Sequence, residues 1–426
     1  MMGQLPRLSR RQWLAGAGGA LFLGANLARS PVVRAAEPDL AELKSLTGGL
    51  APISTAERAA RVQRAQALMR ENGIGAVLIE PGSSLVYFTG IKWWRSERLT
   101  AVILPAEGEA GIVTPFFEAP SIEQMLDIKA EVRVWQEDED PLKLVAGFLK
   151  DRGLAGRPVG IEETVRYFAI DGLKRALPDV KLVSANPVVR GCRMRKTPAE
   201  IALMQGANDV TMAAYRWVYP RVEKGMSQAD LAGLIEAASI RLGGEAPGSL
   251  ILIGEGTAYP HGSIVPETVG EGRVVLFDCG CSVKGYASDI SRTFVYGTPS
   301  ALQRKVWGEM ARGQQVANAA AKIGTPAGKV DDAVRAYYES LGYGPRYTLP
   351  GLSHRTGHGI GMDGHEPINL VHGETTPLAE GMCFSNEPGI YLPGQFGMRL
   401  EDCFHMTATG PKWFTEPPTS MDAPFG

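Results

Sequence analysis

Two short stretches constrain this chain more than any other feature, because each places carboxylates at matched positions about a turn. The first is the apolar run Val274-Val275-Leu276-Phe277 ending in Asp278, followed by Asp289-Ile290-Ser291-Arg292-Thr293-Phe294. The intervening Ser282-Val283-Lys284-Gly285 is short enough to close a hairpin. Folded about that turn, Asp278 and Asp289 come to face each other, with Cβ atoms about 5 Å apart if they form a direct cross-strand pair. Facing carboxylates repel, and an ionised carboxylate is costly to bury, so a positive group is expected between them.

The second stretch repeats the pattern. Cys383-Phe384-Ser385-Asn386-Glu387-Pro388-Gly389-Ile390-Tyr391 and Met398-Arg399-Leu400-Glu401-Asp402 flank Leu392-Pro393-Gly394-Gln395, and Glu387 and Glu401 are equidistant from Gly394. Two hairpins with facing acids suit a pair of cations about 3.5–4 Å apart that share bridging carboxylates. His358, between Gly357 and Gly359, supplies an imidazole where the backbone can approach closely. Four carboxylates and one imidazole make an oxygen-rich donor set, which favours Mn²⁺, Co²⁺, Zn²⁺ or Fe²⁺ over metals selected by thiolate.

The chain is long enough, at 426 residues, for two domains. Its 44 basic and 46 acidic residues nearly balance, so net charge suggests neither nucleic acid nor an anionic membrane as partner. The five cysteines form no CxxC pair and read as small buried hydrophobes, though an oxidising compartment would allow one disulfide. Cys279 and Cys281 lie two apart and so share a strand face opposite to that of Asp278.

In chain order, Ser9-Arg10-Arg11-Gln12-Trp13-Leu14 resembles a twin-arginine export signal. A weakly apolar run from Leu14 to Ala28 and a cleavage-like Val33-Arg34-Ala35 follow. Residues 1–35 are thus expected to be a targeting segment, too short and glycine-rich to be a stable membrane anchor, and the mature protein is expected in the periplasm or outside the cell. From residue 40 to about 186, helices and strands alternate. Helices are expected over Glu57 to Asn72, Ser121 to Ile128 and Pro141 to Leu149. Strands are expected over Ala76 to Ile79, Leu85 to Phe88, Leu99 to Leu104, Gly111 to Thr114, Val132 to Val134 and Val159 to Ile161. Trp93 and Trp94 read as loop or core aromatics, or as residues reaching a binding cleft in this or a partner subunit.

The second domain, 190–426, opens on Thr197-Pro198-Ala199-Glu200, a capping box with proline at the first helical position. Ser227 with Asp230 and Ser300 with Gln303 mark two more helix starts, and Lys329 to Leu341 reads as a fourth helix. Helices on a curved, mainly antiparallel sheet would place the carboxylates on one concave face.

Taken together, the chain resembles the pita-bread metallopeptidases: methionine aminopeptidase, aminopeptidase P, prolidase and their relative creatinase. Arg195-Lys196-Thr197-Pro198-Ala199-Glu200-Ile201, Phe277-Asp278-Cys279-Gly280, Ser288 to Phe294, Gly357 to Gly361, His365-Glu366, Asn386 to Tyr391 and Arg399 to Asp402 carry the likeness. The N-terminal half is similar, more loosely, to the creatinase/prolidase N-terminal domain through Gly75 to Ile79 and Tyr87 to Gly90. The resemblance implies an α/β N-terminal domain followed by an α+β pita-bread catalytic domain. It implies that Asp278 holds one ion, His358 and Glu387 the other, and that Asp289 and Glu401 bridge them.

It further implies catalytic roles for His261, His365 and Glu387, with Glu387 moving a proton and the imidazoles donating to a developing oxyanion. His354 and Arg399 match substrate-binding positions. The implied activity is hydrolysis of Xaa-Pro bonds in short peptides by a homodimer using two divalent ions. Rival readings are a non-peptidase hydrolase or lyase on the same scaffold, and a binding protein that has lost turnover.

Overall fold

The computed structural model describes residues 39–425, so the twin-arginine motif and the cleavage-like segment lie outside the described residues. The N-terminal half is a six-stranded mixed sheet. Its spatial order is Ala130–Trp135, Ala110–Pro115, Ala101–Pro105, Ala76–Ile79, Val159–Ile161, Leu182–Ser184. Along the central Ala76–Ile79 strand every residue is buried, and alternate side chains enter opposite cores. Val77 and Ile79 meet the helices Thr55–Glu71 and Asn186–Arg193, while Ala76 and Leu78 meet Pro141–Asp151 and Tyr167–Ala176. A strand buried on both faces reads as a continuous apolar run, as Ala76-Val77-Leu78-Ile79 does.

One expected strand is a helix. Ser83–Thr89 winds through Leu85 to Phe88 and ends on left-handed Gly90 (φ 83°). A four-residue apolar run has no period long enough to separate helix from strand. Here burial of Leu85, Tyr87 and Phe88 together, and the Thr89 hydroxyl donating to the Leu85 carbonyl at 2.7 Å, suit one short helical turn packed into the core. The helices Tyr167–Ala176 and Asn186–Arg193 and the strand Leu182–Ser184 add to the elements expected from the sequence, and Val188, Val189 and Cys192 carry the N-terminal core past the expected boundary at 186.

The C-terminal half repeats one layered plan. In its first part, Val274–Val283 pairs antiparallel with Glu245–Ile253 on one side and Ile290–Val295 on the other. The helices Pro198–Val218 and Gln228–Arg241 cover this sheet. In the second part the order is Glu366–Leu370, Gly357–Gly359, Cys383–Asn386, Asp402–Thr407, Gly410–Trp413, covered by Ala301–Ala320 and Gly328–Ser340. Three of these four helices begin with the expected capping boxes, at Thr197/Glu200, Ser227/Asp230 and Ser300/Gln303. The two parts join where Ser291 and Glu401 exchange backbone hydrogen bonds of 3.1 and 3.2 Å.

All five cysteines are free and buried, Cys279 and Cys281 against the helical layer, so none is engaged in a disulfide. Among the described residues no helix is long and apolar enough to cross a membrane.

Candidate metal centre

The first hairpin closes on Lys284-Gly285, both at positive φ (49° and 85°), the backbone required by a two-residue turn. That turn sets the register. Asp278 stands opposite Ser291, not Asp289, and Cys279 opposite Ile290. Continuing the ladder puts Asp289 opposite Gly280, diagonal to Asp278 on the same face. The expected direct pair is therefore a diagonal one, because the turn centre lies one residue later than a loop centred on Ser282 to Gly285 would put it. The carboxylates still converge, since long side chains bridge a diagonal offset.

The second hairpin has the expected register. Gly389 pairs with Arg399 on one side of the site and Asn386 with Asp402 on the other, leaving Glu387 directly across from Glu401. His358 enters from Gly357–Gly359. Its Nδ1 lies 3.0 Å from the Gly359 carbonyl, so Nδ1 carries the hydrogen. The Nε2 lone pair then faces Glu387 at 3.3 Å, Asp289 at 3.7 Å and Glu401 at 3.8 Å. Burial, reinforced by His365 and Arg355, lowers the His358 pKa to about 3 and keeps the ring neutral.

The carboxyls are shifted the other way. Burial, with the charge of Asp278, raises Asp289 well above the carboxylate range, and burial with the charge of Asp289 does the same to Glu401. Burial, with Asp278 adding and Arg399 opposing, pushes Glu387 up to about 7. Ligand atoms cluster within 4.8 Å of one another in three sets among the described residues: Asp289, His358 and His365; His358, Glu387 and Glu401; Asp278, Asp289 and Glu401. Glu401 Oε1 is buried without a hydrogen-bond donor. A bound cation would answer that orphaned oxygen, the directed imidazole lone pair and the mutual repulsion together, so the donor set fits divalent ions.

All nine residues singled out from the sequence line a single cavity of about 460 Å³, with Pro260 and Arg355 completing its wall. His365 sits on an exposed turn with its ring 4.1 Å from that of His358, and His261 reaches the cavity from the loop after Tyr259. Glu366 holds the His365 turn. It accepts from the Met362 and Asp363 amides and pairs with Lys196 at 2.9 Å and Arg193 at 2.6 Å. Its burial raises the pKa, but Lys196 and Arg193 outweigh that and bring it down to about 2.

Arg399 is buried and fully engaged. It pairs with Asp278 and donates to Ser291 Oγ (3.0 Å), the Tyr391 hydroxyl (3.0 Å) and the Pro260 carbonyl (3.2 Å). Ser291 Oγ in turn donates to Glu401 at 2.8 Å, so Arg399 reaches Glu401 through it. His354 also has both ring nitrogens occupied, Nδ1 by the Arg355 carbonyl and Nε2 by the Tyr391 hydroxyl, each at 2.8 Å. Arg355, which no sequence motif singles out, is different: its guanidinium makes no hydrogen bond or ion pair among the described residues. Its place between His354 and His358 is the one signal the sequence offers for it.

Such a fold, closing two antiparallel sheets over an acid-rich, imidazole-bearing cavity, defines a metal-dependent hydrolase. Residues 202–408 match the model of metallopeptidase family M24, and residues 61–195 that of the creatinase/prolidase N-terminal domain. The chain is 33% identical over 339 residues to an Xaa-Pro dipeptidase of Lactobacillus helveticus, covering 78% of this chain and 90% of that one. It is 34% identical to a probable dipeptidase PepE of Mycobacterium tuberculosis, covering 83% and 92%. The crystal structure of dipeptidase PepE from Mycobacterium ulcerans superposes with a TM-score of 0.80 at 32% identity, covering 87% of this chain and 98% of that one. A prolidase from Thermococcus sibiricus gives 0.77 at 30% identity, covering 84% and 97%. The chain belongs to metallopeptidase family M24.

Proposed function

We propose that this protein is an Xaa-Pro dipeptidase using two divalent ions, drawn from Mn²⁺, Co²⁺, Zn²⁺ and Fe²⁺ and held by Asp278, Asp289, His358, Glu387 and Glu401. The observation that carries the reading is the convergence of those five ligand side chains, with His261, His354, His365 and Arg399, on one cavity. The names of the relatives, Xaa-Pro dipeptidase among them, support the substrate class. When bound, such a pair of ions supplies an acidified water and polarises the scissile carbonyl. Glu387, a carboxylate on the cavity wall, can take a proton from that water and return it to the leaving proline nitrogen. His365, whose pKa burial lowers, is neutral and can donate to the carbonyl oxygen as charge develops, with His261 on the same cavity wall.

The cavity volume suits a peptide of two or three residues, and a dipeptide carries its C-terminal carboxylate into it. Arg355 is the cation available there, since Arg399 is already committed to Asp278 and Tyr391. Trp94, exposed and stacked on Trp93, supports a homodimer in which this loop is covered. The Ser9-Arg10-Arg11 motif supports export to the periplasm.

The deciding experiment loads the protein with each of the four metals and digests Xaa-Pro dipeptides, Xaa-Pro-Yaa tripeptides and proline-free dipeptides, with products read by mass spectrometry. Cleavage before proline is expected, fastest for dipeptides. Failure to cut any proline substrate with all four metals would overturn the reading in favour of a non-peptidase reaction on the same scaffold.

A further inference from the structure

We propose that Asp331 and Arg335, on a helix behind the cavity wall, are positioning residues that fix the His358 strand and the Glu387 backbone through Thr356. The inference rests on the reading of His358 and Glu387 as cation ligands. Asp331 and Arg335 lie one turn apart in Gly328–Ser340, and neither lines the cavity. Both are buried, Asp331 completely, and their ion pair is 2.7 Å long. A surface pair of this spacing would close on itself within the helix. This one opens outward onto the segment leading to His358.

Asp331 Oδ1 accepts from the Thr356 amide at 3.0 Å and the Thr356 hydroxyl at 2.7 Å, while Oδ2 accepts from the His372 amide at 3.0 Å. Arg335 donates to the carbonyls of His354 at 2.6 Å and Leu352 at 3.1 Å. The Thr356 carbonyl then accepts from the Glu387 amide at 2.9 Å. One buried carboxylate thus holds the residue that holds the backbone of a metal-ligand carboxylate. The same segment carries His354 and Arg355 on its cavity side and enters the strand of His358 two residues later.

A buried ion pair is a poor device for stability alone, because desolvation offsets much of its attraction. What a charged pair adds here is direction: five donors converge on one carboxylate, two from the Arg335 guanidinium and three from the Thr356 amide, the Thr356 hydroxyl and the His372 amide, which the carboxylate thereby orients. Groups hydrogen-bonded directly to metal ligands typically cost roughly 10–100-fold in metal affinity or activity when removed; Asp331 acts one residue further out, through Thr356, so a loss at the lower end is expected.

The test compares Thr356→Val, which keeps the shape and loses the hydroxyl, with Thr356→Ser, which keeps the hydroxyl, alongside Asp331→Asn. Mn²⁺ binding is followed by titration calorimetry, Xaa-Pro turnover by kcat and KM, and folding by circular dichroism melts. The Val and Asn variants are expected to bind Mn²⁺ about 10-fold or more weakly and to lose a similar factor in kcat with KM little changed, while Ser behaves as wild type. Should Asp331→Asn fail to fold, the nearly isosteric Thr356→Val still decides. Thr356→Val with wild-type Mn²⁺ affinity and kcat would overturn the inference, as would equal losses in Ser and Val. A wild-type protein that binds Mn²⁺ but cuts no proline peptide sinks the dipeptidase reading instead, and the calorimetric comparison stands without it.

Discussion

Glu387 stands directly across from Glu401 at the point where two antiparallel ladders meet, and no ladder hydrogen bond joins the two residues. Each instead bonds elsewhere through its backbone, Glu387 to Thr356 and Glu401 to Ser291. Pro388 interrupts the ladder beside Glu387, since proline has no amide hydrogen to give. The gap lets both carboxylates turn into the cavity while their register stays set by the strands on either side.

Because Glu387 is both a ligand and the proton carrier in this reading, Glu387→Gln is expected to remove turnover almost entirely. A positioned acid–base group contributes about 10²–10⁴-fold by itself, and loss of a ligand adds to that. Steady-state assays of the metal-loaded variant against Xaa-Pro dipeptides check it. Activity within a few-fold of wild type would exclude Glu387 from the chemistry.

The metal-free protein should lose stability as pH rises through neutrality. Glu387, Asp289 and Glu401 are all held above their ordinary pKa when folded, so the folded state binds more protons than the unfolded one. Their stabilising contribution is therefore present at low pH and lost as pH climbs through the folded values, which for Glu387 is about 7. His354 and His358, lowered to about 3 by burial, act oppositely, but only below the ordinary imidazole pKa of 6.5. Melting of chelated protein at pH 6.5 and 8.5 should show the lower midpoint at 8.5. Divalent ions should reverse the order, because ligands that have shed their protons bind metal more tightly. A chelated protein that is more stable at 8.5 would contradict the assigned shifts.

Arg355→Met keeps much of the side-chain volume and removes the charge. A hydrogen bond to a charged group contributes about 1.5–3 kcal/mol, so KM for Xaa-Pro dipeptides should rise roughly 10- to 100-fold. The corresponding proline amides, which lack the carboxylate, should be nearly unaffected. An equal loss on acid and amide would remove Arg355 from carboxylate recognition.

Beneath the cavity, Arg292 and Asp402 are both fully buried and paired at 2.6 Å. Gln314 and Thr415 also donate to Asp402, and Arg292 donates to the Glu401 carbonyl. Arg292→Met would strand a buried carboxylate at a cost of about 3–5 kcal/mol. Urea unfolding should show it as a lower midpoint with little change in slope.

If the Trp93/Trp94 loop is covered by a second copy, Trp94→Asp should shift sedimentation from dimer toward monomer. A wild-type protein that sediments as a monomer at micromolar concentration would end the proposal.

Much of the site is legible in the amino-acid sequence, and the reason is local. A hairpin's register follows from its turn, so Glu387 and Glu401 can be paired by counting from Gly394. Helix starts are legible because a capping box is written within four consecutive residues. The same counting misplaces Asp289 because Lys284-Gly285, not the four-residue stretch around it, forms the turn. The short Leu85-Val86-Tyr87-Phe88 run reads as a strand for want of any longer periodicity, and folds as a helix.

By itself, then, the amino-acid sequence determined which residues line the cavity and, through local turns and caps, much of their strand register and helix boundaries. Only the tertiary structure decided that Arg399 is committed to Asp278 while the Arg355 guanidinium has no partner among the described residues, and that Asp331 reaches Glu387 through Thr356. Those relationships join residues far apart in the chain through packed sheets and helices, and no local pattern encodes which buried donor will meet which acceptor.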